Sequence, residues 1–395
     1  MVNEWIGRMT HYRTGSKTCH RIGRWLIGIL LMLFLISLQT KEAKAAEAVE
    51  NIDYDNIQQV IEDIMADDNP MDFGDYVGKL MRGEEIFSIR NIGDRLLQSI
   101  KGEVKANINT FGRLISIALV AAIFTNLSMA FKNSQVSETG YYVTYLLMFS
   151  LLISSFITAS VIACSAIGKI LDFMKALVPA YFMSVGFCTG SATSLVFYEA
   201  ALVIISVVDL ILLKLVIPMI NIYLVIVLAN NLSKEDTLSR LAGLFETIIK
   251  WLLKSLLAAV LGFQAIQGLI VPIADQVKRS ALLKGASAIP GIGNTIGGVT
   301  ETILGAGVLL KNAIGVAGLI VILVICAVPI LKLAILTLIF KCGSAALQPI
   351  SDKRVIECIS ASARSAELLL HTVFVGAVLF LLSITIVAVS TGGVR

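Results

Sequence analysis

Residues 289–312 read IPGIGNTIGGVTETILGAGVLLKN. Six glycines fall between Gly291 and Gly307, and the chain then enters a long apolar run. Three readings compete: a phosphate-cradling loop, a loose linker, or an interrupted helix at membrane depth. The glycines at 291, 293 and 297 are spaced GxGxxxG, one residue off the dinucleotide fingerprint. No β-rich βαβ unit surrounds them and no GK[ST] comes after them, which removes the phosphate loop. A linker does not merge into an apolar helix. Gly293 and Gly297 have the small-xxx-small spacing that lets membrane helices approach closely.

Composition points to the same compartment. The chain has 395 residues, 56% of them hydrophobic and 15% charged, with a mean hydropathy of +0.84. A soluble domain carries about 25% charged residues. An all-α polytopic membrane protein is therefore expected. The net charge of +4 is spread out, with no basic stripe interleaved with aromatics, so nucleic acid is not an expected partner. The six cysteines form no CxxC pair, and the last five lie in or beside apolar segments, where they read as small hydrophobes. His11 and His20 fall in a basic N-terminal leader, and His371 alone cannot build a metal site. No GxSxG, HExxH or Walker A motif occurs, so neither an enzyme nor a cofactor is expected.

The N-terminus carries Arg8, Arg13, Lys17, Arg21 and Arg24, then WLIGILLMLFLISL at 25–38 and an A-x-A site at Ala43-Lys44-Ala45. This pattern predicts a secretory signal peptide over 1–45, which delivers the segment from residue 46 outside the cytoplasm. An uncleaved anchor helix would have the same effect. Residues 46–111 hold fourteen acidic against six basic side chains. Two stretches there have helical period: Ile57, Val60, Ile61 and Ile64, and then Ile89, Ile92, Leu96, Ile100, Val104, Ile108 and Phe111. So short a segment has little core of its own, and its helices are expected to dock on a partner or on the membrane domain.

From 112 to 395 the chain is a multi-span membrane domain. Candidate spans are 112–131, 141–163, 194–216, 217–232, 247–271, 304–328, 329–348 and 367–390, with 166–190 read as amphipathic or re-entrant. Pro179 and Pro218 are 39 residues apart, as are Pro290 and Pro329, and the two pairs are offset by 111. That offset places Gly186 on Gly297 and Ser191 on Thr302. It marks out two repeats, about 175–271 and 286–390. If each holds three spans, an odd number, the second must be inverted relative to the first. Loop charges then place Lys132, Lys278, Arg279, Lys284, Lys353, Arg354 and Arg364 inside, and 232–240 outside.

Ionisable groups within apolar spans are costly and point to function. The candidates are Glu199, Asp209, Glu301, Lys311 and Glu367, with Asn312 beside Lys311 able to bond across helices. An Asp209–Lys311 or Glu199–Lys311 pair would link the repeats. Structural pairing or lysine snorkelling are the plainer alternatives. Gly186 and Gly190 in SVGFCTGSATS, 184–194, and Gly293 and Gly297 form matched small-residue segments. Such a matched pair is the sequence pointer to a transport path at a repeat interface. Tight packing without a ligand explains it equally.

The run P-G-I-G at 290–293, T-E-T at 300–302, L-L-K-N-A-I-G-V-A-G at 309–318, A-V-P-I-L-K-L at 327–333 and A-L-Q-P at 346–349 resembles the stage III sporulation protein AE family. FGDYVGKLMRGEE at 73–85 is similar to the family's outer motif. The resemblance implies a mother-cell membrane component of an eight-protein sporulation channel, or feeding conduit. Its implied partners are the other stage III sporulation A-operon proteins and, indirectly, stage II sporulation protein Q in the forespore membrane. It implies no catalytic residues. The alternatives on the residues alone are a free-standing secondary transporter of a small solute and a membrane scaffold that only anchors partners.

Overall fold

The structure, a computed structural model, describes residues 54–64, 72–84, single positions between 101 and 123, and most of 134–390. Side chains are not described at 187–194 and 267–304. The leader and most of 85–133 lie outside the described residues. Among the described residues there is no strand.

Peptide groups in hydrocarbon have no water to bond to, so an unbroken helix is the economical way to cross. The chain uses long ones. Helices α1 (Asp55–Ile64) and α2 (Phe73–Met81) precede α3 (Ser134–Thr189). Then come α4 (Ser191–Ile211), a π-helical segment (Leu212–Val216) and α5 (Ile217–Leu232). The last three are α6 (Ser239–Ser287), α7 (Gly293–Leu347) and α8 (Lys353–Ser390). Four apolar stretches within these are long enough to cross a membrane: Tyr142–Gly186, Phe197–Leu232, Gly305–Leu347 and Lys353–Ile386. The protein is thus an all-α, multi-pass membrane protein.

The expected spans merge. Residues 166–190 form no separate re-entrant element: α3 runs on through Pro179. Likewise 304–328 and 329–348 are one helix through Pro329. Gly293 and Gly297 lie within α7 rather than in an interruption. Proline removes one N–H and crowds the carbonyl four residues back, but a packed helix tolerates both. Pro218 shows the local cost. It crowds the Lys214 carbonyl, and the helix widens there into the π segment, where the Ile217 N–H bonds back to the Leu212 carbonyl.

Contacts fix the direction of each rod. At one end, the head, Tyr145 of α3 donates to the Leu228 carbonyl of α5 and lies 3.0 Å from Cys358 of α8. Ser344 of α7 and Ser360 of α8 are 2.5 Å apart at the same end. At the other end, the tail, the ring of Phe182 (α3) meets that of Tyr198 (α4). Gly315 and Gly318 of α7 face Tyr181 and Leu177 of α3 and Ile384 of α8. Tyr145 and Tyr181 sit about 54 Å apart along α3 at 1.5 Å per residue. So α4–α5 and α7 both run tail to head, while α6 and α8 both run back.

α4–α5 with α6, and α7 with α8, each make a pair of rods in which the first runs tail to head and the second runs back. The turns after Leu232 and after Leu347 therefore both lie at the head.

α1 and α2 dock on their own chain. Ile57 and Ile61 are buried, as are Phe73, Tyr76, Val77 and Met81. Lys169 of α3 donates to the Ile64 carbonyl at 3.1 Å, capping the C-terminus of α1. The N-terminal end of α2 is held by Asp72, which accepts from the Asp75 N–H, and by Gln58, which accepts from the Phe73 N–H. Gly83, with φ of 71°, turns the chain out of α2. Val104 and Ile108, from the second predicted amphipathic face, are instead exposed.

The tightest helix contact is at Gly318. A Cβ there would stand 2.6 Å from Leu177 Cδ2, and Leu177 is itself buried. Gly318→Leu is expected to cost about 1–3 kcal/mol or more through overpacking. Leu177→Ala, added to it, is expected to restore part of the loss. Thermal unfolding of the detergent-solubilised single and double variants measures both, and strict additivity would show that the two positions do not touch.

Candidate functional site

Two groups of buried polar side chains lie within the bundle, one at each end. At the head, the single Tyr145 proton goes to the Leu228 carbonyl, so the Cys358 thiol donates to the Tyr145 oxygen. Asn230 accepts from the Leu238 N–H at 2.7 Å, tying the end of α5 to the start of α6. Ser160 of α3 donates to Asn221 of α5 at 3.1 Å. Tyr223 of α5 donates to Glu246 of α6 at 3.2 Å, and Lys250 donates to the other carboxylate oxygen at 2.5 Å. The Arg364 charge on α8 acts on both Tyr223 and Glu246. Lys341 of α7 pairs with Glu367 of α8 at 2.8 Å, half exposed. Ser160 lies deeper, about 22 Å along α3 from Tyr145, and the other contacts join α3, α5, α6, α7 and α8 toward the head.

At the tail, Lys311 of α7 is fully buried and donates to the Ala388 carbonyl of α8 at 3.1 Å. A lysine at the last turn of a helix meets the negative end of its dipole. In the same region Ser184 is buried and bonds to the Tyr181 carbonyl. Gln264 of α6 donates to Ser383 of α8, which itself donates to the Leu379 carbonyl at 2.8 Å. α8 takes part at both levels, and its span is the most enclosed of the four.

The predicted residues do not all converge. Lys311 is buried as expected and Asn312 beside it is half-buried. Glu199 is exposed and Asp209 half-buried on α4, and neither pairs with Lys311. The expected Glu199–Lys311 and Asp209–Lys311 pairs are not formed. Gly186 is half-buried near the end of α3. Gly190 lies outside the described residues. Gly293, Gly297 and Glu301 are in α7, with side-chain surroundings outside the description.

Close helix approaches are found at Gly315 and Gly318, and the surroundings of Gly293 and Gly297 lie outside the described residues. The GVAG run there was legible as small-xx-small in an apolar helix. Sequence reasoning also passed over Lys214, an exposed cation in the middle of the Phe197–Leu232 span. A charge facing lipid at that depth costs about 2.5–3.5 kcal/mol. Its position four residues before Pro218 was the available signal.

The same span, with its neighbours, is shared with known proteins. The family model described as stage III sporulation protein AE matches residues 71–391. The chain belongs to that family. The stage III sporulation protein AE of Bacillus subtilis (strain 168) is 26% identical over 353 residues, covering 88% of each chain. No solved structure matches. The family match takes in α2 and all four apolar spans, together with both polar groups. It is a family of sporulation membrane proteins and not a known enzyme family, and membership gives this chain a role in sporulation.

The head contacts give a pH-dependent expectation. Burial pushes the Glu246 carboxyl upward, but the hydrogen bond and charge of Lys250, the Tyr223 hydroxyl and the Arg364 charge outweigh it. The net is a folded pKa below the ordinary value of 4.5. Glu246 therefore stabilises the fold above the ordinary value, and that contribution is lost as pH falls through the lowered one. Glu246→Gln is expected to lower stability at neutral pH by about 1 kcal/mol. The deficit should shrink as pH falls below the ordinary value, in thermal unfolding of the detergent-solubilised protein. A deficit independent of pH would place the Glu246 charge outside the stabilising contact.

Proposed function

We propose that this protein is the membrane-embedded part of the sporulation channel, the conduit that joins mother cell and forespore. It sits in the mother-cell membrane surrounding the forespore and supplies the pore or permease element. Its partners are the other stage III A-operon proteins and, through them, stage II sporulation protein Q. The observation that carries the reading is the family match across residues 71–391, which covers every apolar span of the bundle.

The positive-inside rule supports an orientation with the head in the cytoplasm. Arg240, Lys250, Lys341, Lys353, Arg354 and Arg364 all belong to the head segments. The acidic segment 46–111 is then extracytoplasmic. With the turn after Leu232 on the inner face, Arg240 joins the inner set, and the far end of α6 with Lys278, Arg279 and Lys284 falls on the other face.

The scaffold alternative has less support. α1 and α2 already spend their apolar faces on α3 and α7, which leaves mainly charged surface for a partner. Polar groups buried at two levels of the bundle suit a protein whose helices must hold a defined arrangement rather than a passive anchor.

Lys311 tests the permease element. Lys311→Met keeps the stem but removes the charge and the bond to the Ala388 carbonyl. It is expected to reduce heat-resistant spores by at least tenfold with membrane insertion retained, while Lys311→Arg keeps most of the function. Spore counts alongside membrane-fraction immunoblots read this out. Normal sporulation in Lys311→Met, at normal protein level, contradicts a functional role for the tail group.

A further inference from the structure

The α4–π–α5 rod carries charge on its outward side. Glu199 and Lys214 are exposed and Asp209 is half-buried, and none of them forms a hydrogen bond or ion pair with another described residue. Around them Val203, Val207 and Leu210 are exposed and apolar. Lipid suits the apolar side chains but not the charges. Snorkelling relieves a lysine close to an interface. Lys214, however, lies near the middle of a 36-residue span, about 25 Å along the helix from Phe197 and about 27 Å from Leu232.

The charges have opposite sign: Lys214 sits within the outward face near Leu210, and Asp209 sits at its half-buried border. From Asp209 to Lys214 is five residues, about 140° round a regular α-helix and about 7.5 Å along it, the π segment reducing the rotation somewhat. One copy therefore cannot close this pair within itself. A neighbouring copy in the same membrane orientation presents its Asp209 at nearly the same height as the first copy's Lys214. A lysine stem and a modest helix tilt span the remaining offset. An acidic position meeting a basic one on the next copy is a heterologous contact, and such contacts between identical chains generate a ring when the rotation between copies closes.

We propose that the α4–α5 rod borders a second copy of this chain. Lys214 of one copy meets Asp209 of the next, and repetition of the contact builds a closed ring in the membrane. The π segment before Pro218 carries Lys214 at this contact. The inference deepens the channel reading but rests only on membrane insertion. Its test reads assembly directly, so a failure here is distinct from a failure of that reading.

Full-length chains with two different tags are co-expressed in membranes, one carrying Leu213→Cys, a turn from Asp209, and the other Leu210→Cys, a turn from Lys214. The parent chain with its native cysteines is the control. Mild oxidation is expected to give a reducible mixed-tag dimer several-fold above either variant alone. Lys214→Asp should reduce that product at least fivefold, and adding Asp209→Lys to the same chains should restore it. Equal products from each variant alone would replace the ring with a two-fold contact and overturn the proposal. So would cross-links only to other proteins, or no cross-link from chains present at parental level. If either cysteine variant fails to accumulate, native-gel size of the charge-swap series decides. Lys214→Asp must then reduce the size and the double swap must restore it, and an unchanged size contradicts the ring.

Discussion

Every peptide group at membrane depth must find its hydrogen bond within the protein, and that demand sets this architecture. It forces the chain through Pro179 and Pro329 as continuous helix rather than as pairs of short spans. The number of crossings depends on that continuity, and their parity decides at which end each turn falls. With α4–α5 and α7 each a single rod, both hairpin turns fall at the head. The contacts joining α5, α6 and α8 through Tyr223, Glu246 and Arg364 are the direct consequence. They exist only because the two turns share one end.

Much of this was legible in the sequence. Composition alone identifies an all-α membrane protein, and the period of Ile57, Val60, Ile61 and Ile64 correctly marks the buried face of α1. Hydropathy finds the apolar segments but places boundaries at prolines, because a local reading cannot see that tertiary packing compensates a lost N–H. That reading divides α3 and α7 into shorter segments than the structure shows. The glycines show a similar limit. Gly318 meets Leu177 across 141 positions of sequence, and nothing local distinguishes it from Gly297.

The charged residues divide by environment in a way that sequence depth could not predict. Lys311 and Lys214 both lie in apolar spans, yet one is enclosed against the Ala388 carbonyl and the other faces outward. Enclosure makes the first a fixed part of the tail, where it holds the end of α8. Exposure makes the second a demand on whatever surrounds the bundle. Family membership gives the chain a role in sporulation.

The central claim is that both hairpin turns lie on one side of the membrane. In a chain whose six native cysteines are replaced by alanine, Thr237→Cys and Lys353→Cys place single reporters at those turns, to be labelled with a membrane-impermeant maleimide in sealed and in opened vesicles. The account predicts that both positions react from the same side. Reaction from opposite sides would contradict the direction assigned to the rods and favour an inverted arrangement.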